Sequence, residues 1–239
     1  MNRFALLIEC DEGNTLGGSC LRDIENMARC LIEHNFQPSN VYLLTTSSYK
    51  PKTPGIVHGQ SKDLFKIFQQ INALEPSFLV VLLSGHGYSV ADRNGDEVDG
   101  ADEAVHINGQ VLDDDIYNNI VTKMKCDGLL LSDTCHSGTM FDLPFVYNNG
   151  TKQFTKQTKR NDNFKARVIS LSACSDQQLS MCDVGDNTGF GGSLTTAVLN
   201  IDGVLGDLLK RGDLIGVYNK IQTRLQMLNQ TLILSATIG

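Results

Sequence analysis

Short runs of consecutive apolar residues recur along the chain. Between them lie stretches in which apolar residues fall every three or four positions. The runs are Phe4–Ile8, Val41–Leu44, Phe78–Leu83, Gly128–Ser132, Val168–Leu171 and Leu232–Leu234. Unbroken runs, rather than alternation, are the pattern of strands buried on both faces of a parallel sheet. Helical spacing appears in Leu21-x-x-Ile24-x-x-Met27-Ala28-x-x-Leu31-Ile32, and again over Leu64–Leu74, Ile116–Met124 and Leu214–Leu228. Strands alternating with helices imply βαβ units with right-handed crossovers. The predicted architecture is one α/β domain over 1–239, a mostly parallel central sheet of six or more strands with helices on both faces. In open sheets of this kind, sites lie at the carboxyl ends of strands.

Three stretches break the pattern. Thr45–Gln60 is polar and holds Pro51 and Pro54. Asp92–Glu103 is strongly acidic. Asn148–Arg167 carries Lys152, Lys156, Lys159, Arg160, Lys165 and Arg167 against a single acid, Asp162. It reads as a solvated, mobile loop dividing a larger region, 1–147, from a smaller one, 168–239.

Composition narrows the function classes. A hydrophobic content of 41% over 239 residues suffices for a sizeable core. No apolar run approaches the ~18 residues of a membrane span. The start, Met1-Asn2-Arg3-Phe4, lacks a secretory apolar segment. A net charge of −7 disfavours nucleic acid as a partner. Seven cysteines, at 10, 20, 30, 126, 135, 174 and 182, include no C-x-x-C pair. An odd count in a chain without a leader points to free thiols in a reducing compartment, and the expectation is a cytoplasmic protein.

Two of the strand ends carry chemistry. Ser84-Gly85-His86-Gly87 follows one apolar run and Asp133-Thr134-Cys135-His136-Ser137-Gly138 follows the next. A cysteine attacks as its thiolate, so it needs a neighbouring imidazole and an exposed position at a tight turn. Cys135 has that setting. Cys10 ends a strand beside Asp11 and Glu12, which oppose thiolate formation; Cys174 follows a strand with no histidine motif; Cys20 and Cys30 sit on the packed face of a helix. His136 adjoins Cys135, but neighbouring side chains on extended backbone diverge. His86 ends the preceding strand, and consecutive strands are commonly neighbours. The expected pair is therefore His86 as base and Cys135 as nucleophile. The N–H groups of Gly87 and Cys135 are candidates for an oxyanion hole, with Gly87 leaving room for the substrate carbonyl.

These residues resemble the metacaspases, within the caspase–hemoglobinase superfamily of cysteine peptidases. Ser84–Gly87 is similar to the family's histidine motif, and Asp133–Gly138 with Thr139 and Asp142-Leu143-Pro144 to its cysteine motif. Gly95–Glu103 resembles the linker of the type I group. Ser172–Gln178 and Leu234-Ser235-Ala236 resemble the small-subunit region. The expectation is a type I-like member without a prodomain and without the long type II linker, and Thr134 stands where many members have a second cysteine. The resemblance implies the caspase–hemoglobinase fold, a His/Cys dyad, a monomer and no organic cofactor.

The resemblance also places a specificity pocket on Cys20, Asp23, Ser84 and Asp133. Carboxylates there would accept Arg or Lys. Read on its own, Asp23 is an early-turn helix residue favoured by the macrodipole. The implied activity is cleavage of protein or peptide substrates after Arg or Lys. The basic residues of Asn148–Arg167 then become candidate self-cleavage points, against the plainer reading of a solvated loop. Acids offer a cation site. Asp92-x-Asn94-x-Asp96 with Glu103 at position twelve hints at an EF-hand, but Glu97 occupies the position that needs glycine, and this version is rejected. The resemblance instead implies activating Ca²⁺ on Asp102, Asp113, Asp114 and Asp142; the plainer alternative is that Asp113 caps a helix. Two rivals are a catalytically silent caspase-like scaffold or calcium-responsive binder, and a superfamily peptidase with another preference, such as Asn.

Overall fold

A computed structural model describes residues 2–46, 48–91, 101–157, 164–183 and 191–238. Its elements begin with β1 (Arg3–Cys10), α1 (Ser19–Glu33), β2 (Val41–Thr45), β3 (Val57–Gln60), α2 (Leu64–Ala73), β4 (Phe78–Gly85), β5 (Gly87–Ala91), β6 (Ala101–His106) and β7 (Gln110–Leu112). They continue with α3 (Asp113–Asn119), β8 (Asp127–Thr134), β9 (Phe145–Asn148), β10 (Gln153–Lys156), β11 (Val168–Ser172), β12 (Cys182–Asp183) and β13 (Gly191–Gly192). The last are α4 (Ser193–Asn200), α5 (Val204–Lys210), α6 (Leu214–Gln226) and β14 (Ile233–Ala236).

Nine strands form one mixed sheet in the order β10-β9-β14-β11-β8-β4-β1-β2-β3. The six from β11 to β3 are parallel; β14, β9 and β10 join antiparallel. Successive side chains of a strand point to opposite faces. Ala5, Leu7, Val80, Leu82, Leu129 and Leu131 pack against α1, α4, α5 and α6. Leu6, Ile8, Leu79, Val81, Leu83 and Leu130 pack against α2 and α3. Burial on both faces explains the unbroken apolar runs.

The helix α1 buries Ile24, Met27, Ala28 and Leu31, the stripe its spacing predicts. It starts after Gly17 and Gly18, both at positive φ. It ends as Asn35 turns left-handed and the Phe36 N–H returns to the Leu31 carbonyl at 3.0 Å. Each fully buried aliphatic side chain on such a face is worth roughly 1.5–3 kcal/mol against exposure.

Several expectations need correction. Thr45–Gln60 is not loop throughout, because Val57–Gln60 is the edge strand β3, paired in parallel with β2. Gly59 lies there because a Cβ would come within 2.8 Å of Leu44 Cδ2. Asn148–Arg167 is not a free loop either. β10 folds back on β9, with the Tyr147 and Phe154 rings 5.4 Å apart. Its end is tied down by Arg167 to Asp127 at 3.1 Å and by Phe164 edge-on to Tyr117. The expected helix Ile116–Met124 begins earlier, at Asp113, and gives way to a separate 3₁₀ turn at Val121–Lys123. α4 and α5 were not expected from spacing. The acidic stretch is strand from Ala101, with Asp102 and Glu103 buried rather than solvated; its residues 92–100 lie outside the described ones. No helix among the described residues is long and apolar enough to cross a membrane.

Candidate active site

Register places the site. Cys10 pairs with Gly85, and Gly85 pairs with Thr134. The next residue on each strand therefore falls in one row at the carboxyl end of the sheet: Asp11, His86, Cys135. Gly85 is at φ +145°, and a Cβ on it would lie 2.3 Å from the Cys10 carbonyl oxygen. Only glycine permits that approach. It brings the His86 N–H onto the Cys10 carbonyl at 2.8 Å, while the His86 carbonyl accepts from His106 N at 3.3 Å. Gly87 is also required by the local packing. Its Cβ would meet the Cys135 carbonyl oxygen at 2.1 Å and Thr134 Cβ at 3.0 Å, so the crowding comes from the nucleophile's own strand.

His86 and Cys135 line one small cavity of about 70 Å³. The His86 side chain is 38% exposed, and its Nε2 lies 2.6 Å from Thr15 Oγ1 and 3.5 Å from the buried Asp11 Oδ1. Cys135 Sγ lies 3.7 Å from the Ser180 carbonyl oxygen. His136 turns away: it sits at φ +50°, donates its N–H to Gln178 O, and sets its Nδ1 against Asp176 O. Burial raises the thiols of Cys10 and Cys30, pushes Cys20 up to about 12, and pushes Cys126 and Cys174 up to about 11. Those five are poor nucleophiles, whereas Cys135 is partly exposed and shares its cavity with His86.

The expected specificity residues converge on the same cavity. Cys20, Asp23, Ser84 and Asp133 all line it and all are buried. Ser84 donates to Asp23 Oδ2 at 2.7 Å, and the Gly192 N–H donates to both Asp23 oxygens at 3.1 and 3.0 Å. Asp133 accepts from Ser180 Oγ at 3.0 Å and from Thr195 N at 2.7 Å. Burial first, and then the charge of Asp133, raise the Asp23 carboxyl to about 8. Burial raises Asp133 as well. Gly191 and Gly192 cradle the pair, for a Cβ at Gly191 would lie 2.6 Å from Asp23 Oδ1 and one at Gly192 2.2 Å from Asp133 Oδ2. Two buried carboxylates side by side form a receptacle for a cation. Sequence reasoning missed Asp11, Thr15, Ser180, Gly192 and Thr195. The usable signal for Asp11 was its place at the end of β1, directly beside the histidine strand.

The four acids proposed for a cation are assembled only in part. Asp113 is buried at the start of α3, where its Oδ2 accepts from Glu103 N at 2.9 Å and its Oδ1 from Asp114 N at 2.7 Å. Burial, with the charges of Asp102 and Asp114, holds its carboxyl up at about 7. Among the described residues no three His, Cys, Asp or Glu side chains converge as a metal-binding group.

Of the basic residues, Lys152 occupies the β9–β10 turn at φ +59° and Lys156 is on β10. Lys165 is exposed, and Arg167 pairs with Asp127. Lys159 and Arg160 lie outside the described residues.

A family model described as metacaspase, peptidase C14 domain, matches residues 3–144. The chain is 30% identical to metacaspase-1 of Eremothecium gossypii over 200 residues, 79% of this chain and 41% of that protein. It is 32% identical to metacaspase-1 of Arabidopsis thaliana over 176 residues, 67% of this chain and 47% of that one. It spans less than half the length of either relative. A crystal structure of a Geobacter sulfurreducens protein superposes with a TM-score of 0.65 at 23% identity, covering 99% of this chain and 93% of the other. That likeness bears on the fold alone.

Proposed function

The chain belongs to the metacaspase family of C14 peptidases, and on that ground we propose that it is a cysteine endopeptidase cutting peptide bonds after Arg or Lys. One observation carries the reading: His86, Cys135 and the buried Asp23–Asp133 pair line a single cavity. A nucleophile and a cation receptacle that share a cavity place a bound basic side chain next to the bond attacked.

In this mechanism a substrate guanidinium or ammonium enters between Asp23 and Asp133. The Cys135 thiol passes its proton to His86, and the thiolate attacks the carbonyl that follows the basic residue. The N–H groups of Gly87 and Cys135 are proposed to hold the oxyanion. His86 returns the proton to the leaving amine. Water, activated by the same imidazole, then releases the acyl group from Cys135.

Calcium stimulation and self-processing are part of the proposal. Like charges gathered at Asp102, Asp113 and Asp114 are relieved by a hard cation, which would have to draw the carboxylates together. Exposed Lys165 and turn residue Lys152 give a basic-specific peptidase sites on its own surface. A monomer is proposed because the edge strands β3 and β10 are four residues each and β10 ends on the exposed Lys156. Six described cysteines are free thiols, which fits a reducing compartment.

Covalent labelling tests the reading. An arginyl chloromethylketone should modify wild type at Cys135 and leave Cys135→Ala unmodified. Labelling of both, or of neither, contradicts it.

A further inference from the structure

His86 does not stand alone behind the thiol. Asp11 is fully buried, and its carboxylate holds the loop that follows β1. Oδ1 accepts from Thr15 N at 2.9 Å and from Thr15 Oγ1 at 2.8 Å; Oδ2 accepts from Leu16 N at 3.0 Å. The Asp11 carbonyl accepts from Thr46 Oγ1 at 2.9 Å. Thr15 itself is exposed, yet its hydroxyl touches two groups at once, Asp11 Oδ1 and His86 Nε2, the latter at 2.6 Å.

Proton counting fixes the direction of these bonds. A carboxylate only accepts, and a hydroxyl has one proton. Thr15 gives that proton to Asp11, so its lone pair must accept from His86 Nε2–H. The neutral ring then carries its proton on Nε2 and presents a bare Nδ1. Register supplies the rest, because Asp11, His86 and Cys135 end three adjacent parallel strands in one row.

We propose that Asp11 and Thr15 are positioning residues for His86, Asp11 orienting the Thr15 hydroxyl and that hydroxyl holding the imidazole in the tautomer that takes the Cys135 proton on Nδ1. The inference rests on the peptidase reading of His86 and Cys135 and extends the dyad to a four-residue relay. When the thiol proton moves to Nδ1, Nε2 keeps its own proton on Thr15. The new imidazolium charge is offset by the Asp11 carboxylate at 3.5 Å. The proton on Nδ1 later leaves with the departing amine, and no proton need pass to Asp11. This is the logic by which a buried carboxylate fixes a catalytic histidine, with a hydroxyl interposed.

Other titratable groups surround His86. His106, on β6, donates its backbone N–H to the His86 carbonyl, and its ring is paired with Glu12 at 3.1 Å.

The test follows alkylation of Cys135 by iodoacetamide against pH in the full chain, read at Cys135 by mass spectrometry, beside kcat and KM on an arginyl peptide. Thr15→Val keeps the shape and the backbone N–H but removes the hydroxyl. It should slow alkylation near neutral pH by about tenfold to a hundredfold, move the pH midpoint upward, and lower kcat with KM little changed. Asp11→Asn should do the same, and Thr15→Ser should restore wild-type behaviour. Should Asp11→Asn not fold, the exposed Thr15 pair decides alone. A Thr15→Val chain with the wild-type midpoint and kcat overturns the relay, whatever the peptidase result. A wild type that alkylates normally but cuts no peptide overturns the peptidase reading, while the alkylation midpoints still judge the relay.

Discussion

Asp23 and Asp133 are both buried against Gly192 in one pocket, and the charge of Asp133 adds to burial in holding the Asp23 carboxyl at about 8. The Asp23 carboxyl therefore keeps its proton near neutral pH, and an entering guanidinium must displace it. Binding of agmatine to Cys135→Ala should release protons and tighten as pH rises from about 6 to about 8. Calorimetry in buffers of different ionisation enthalpy reads this directly. Affinity independent of pH, with no proton released, would refute the coupled pair.

The same shift has a consequence for stability. The native carboxyl of Asp23 lies above its ordinary 3.8, at about 8, so the folded chain holds this proton more tightly than the unfolded chain. The favourable contribution is fully present below pH ~4 and declines as pH rises through that window. Asp23→Asn should flatten this decline in melting temperature. It should also lower kcat/KM on arginyl peptides on the order of a hundredfold, as expected when one member of a buried charge pair is lost. An unchanged pH–melting profile would argue against the assignment.

Substitutions at two glycines distinguish the roles of the pocket and of the nucleophile. Gly192→Ala would drive its Cβ to 2.2 Å from Asp133 Oδ2, so it should weaken cleavage after Arg and Lys while Cys135 still reacts with iodoacetamide at the wild-type rate. Gly85→Ala would strike the Cys10 carbonyl at 2.3 Å and force a side chain into positive φ. It should cost about 1–3 kcal/mol of stability and slow alkylation as well, since it displaces His86. Paired unfolding and alkylation measurements distinguish the two.

Much of the frame was legible because it was buried on both sides. β1, β4 and β8 announce themselves as apolar runs, and the motif at each end follows from them. β3 and β10 were not legible. An edge strand has one neighbour, so Val57-His58-Gly59-Gln60 and Gln153-Phe154-Thr155-Lys156 need no continuous apolar run. The His86–Cys135 pair could be inferred from neighbouring strand ends, but the walls of the pocket could not. Gly192 reaches Asp23 across 169 residues of sequence, and only the folded chain brings them together. Asp11 was read as a charge opposing the thiolate of Cys10. Its charge does help to raise that thiol; its contacts with Thr15 and His86 arise only in the folded chain.

Calcium dependence separates the acid cluster from the catalytic row. Activity assayed in EGTA, with Ca²⁺ or Mg²⁺ restored in turn, should fall in chelator and return with Ca²⁺ only. Asp113→Asn should lessen the response. Full activity in EGTA would dismiss a calcium requirement. In the same samples, new N-termini after basic residues of 148–167 should form in wild type and be absent from Cys135→Ala; their persistence in the variant would rule out self-processing.

The most direct measurement is a panel of fluorogenic peptides differing only in the residue before the scissile bond, run with wild type and Cys135→Ala. The account predicts turnover after Arg and Lys, little after Asn or Asp, and none in Cys135→Ala. Preferential cleavage after Asp or Asn, or wild-type turnover by Cys135→Ala, would contradict it.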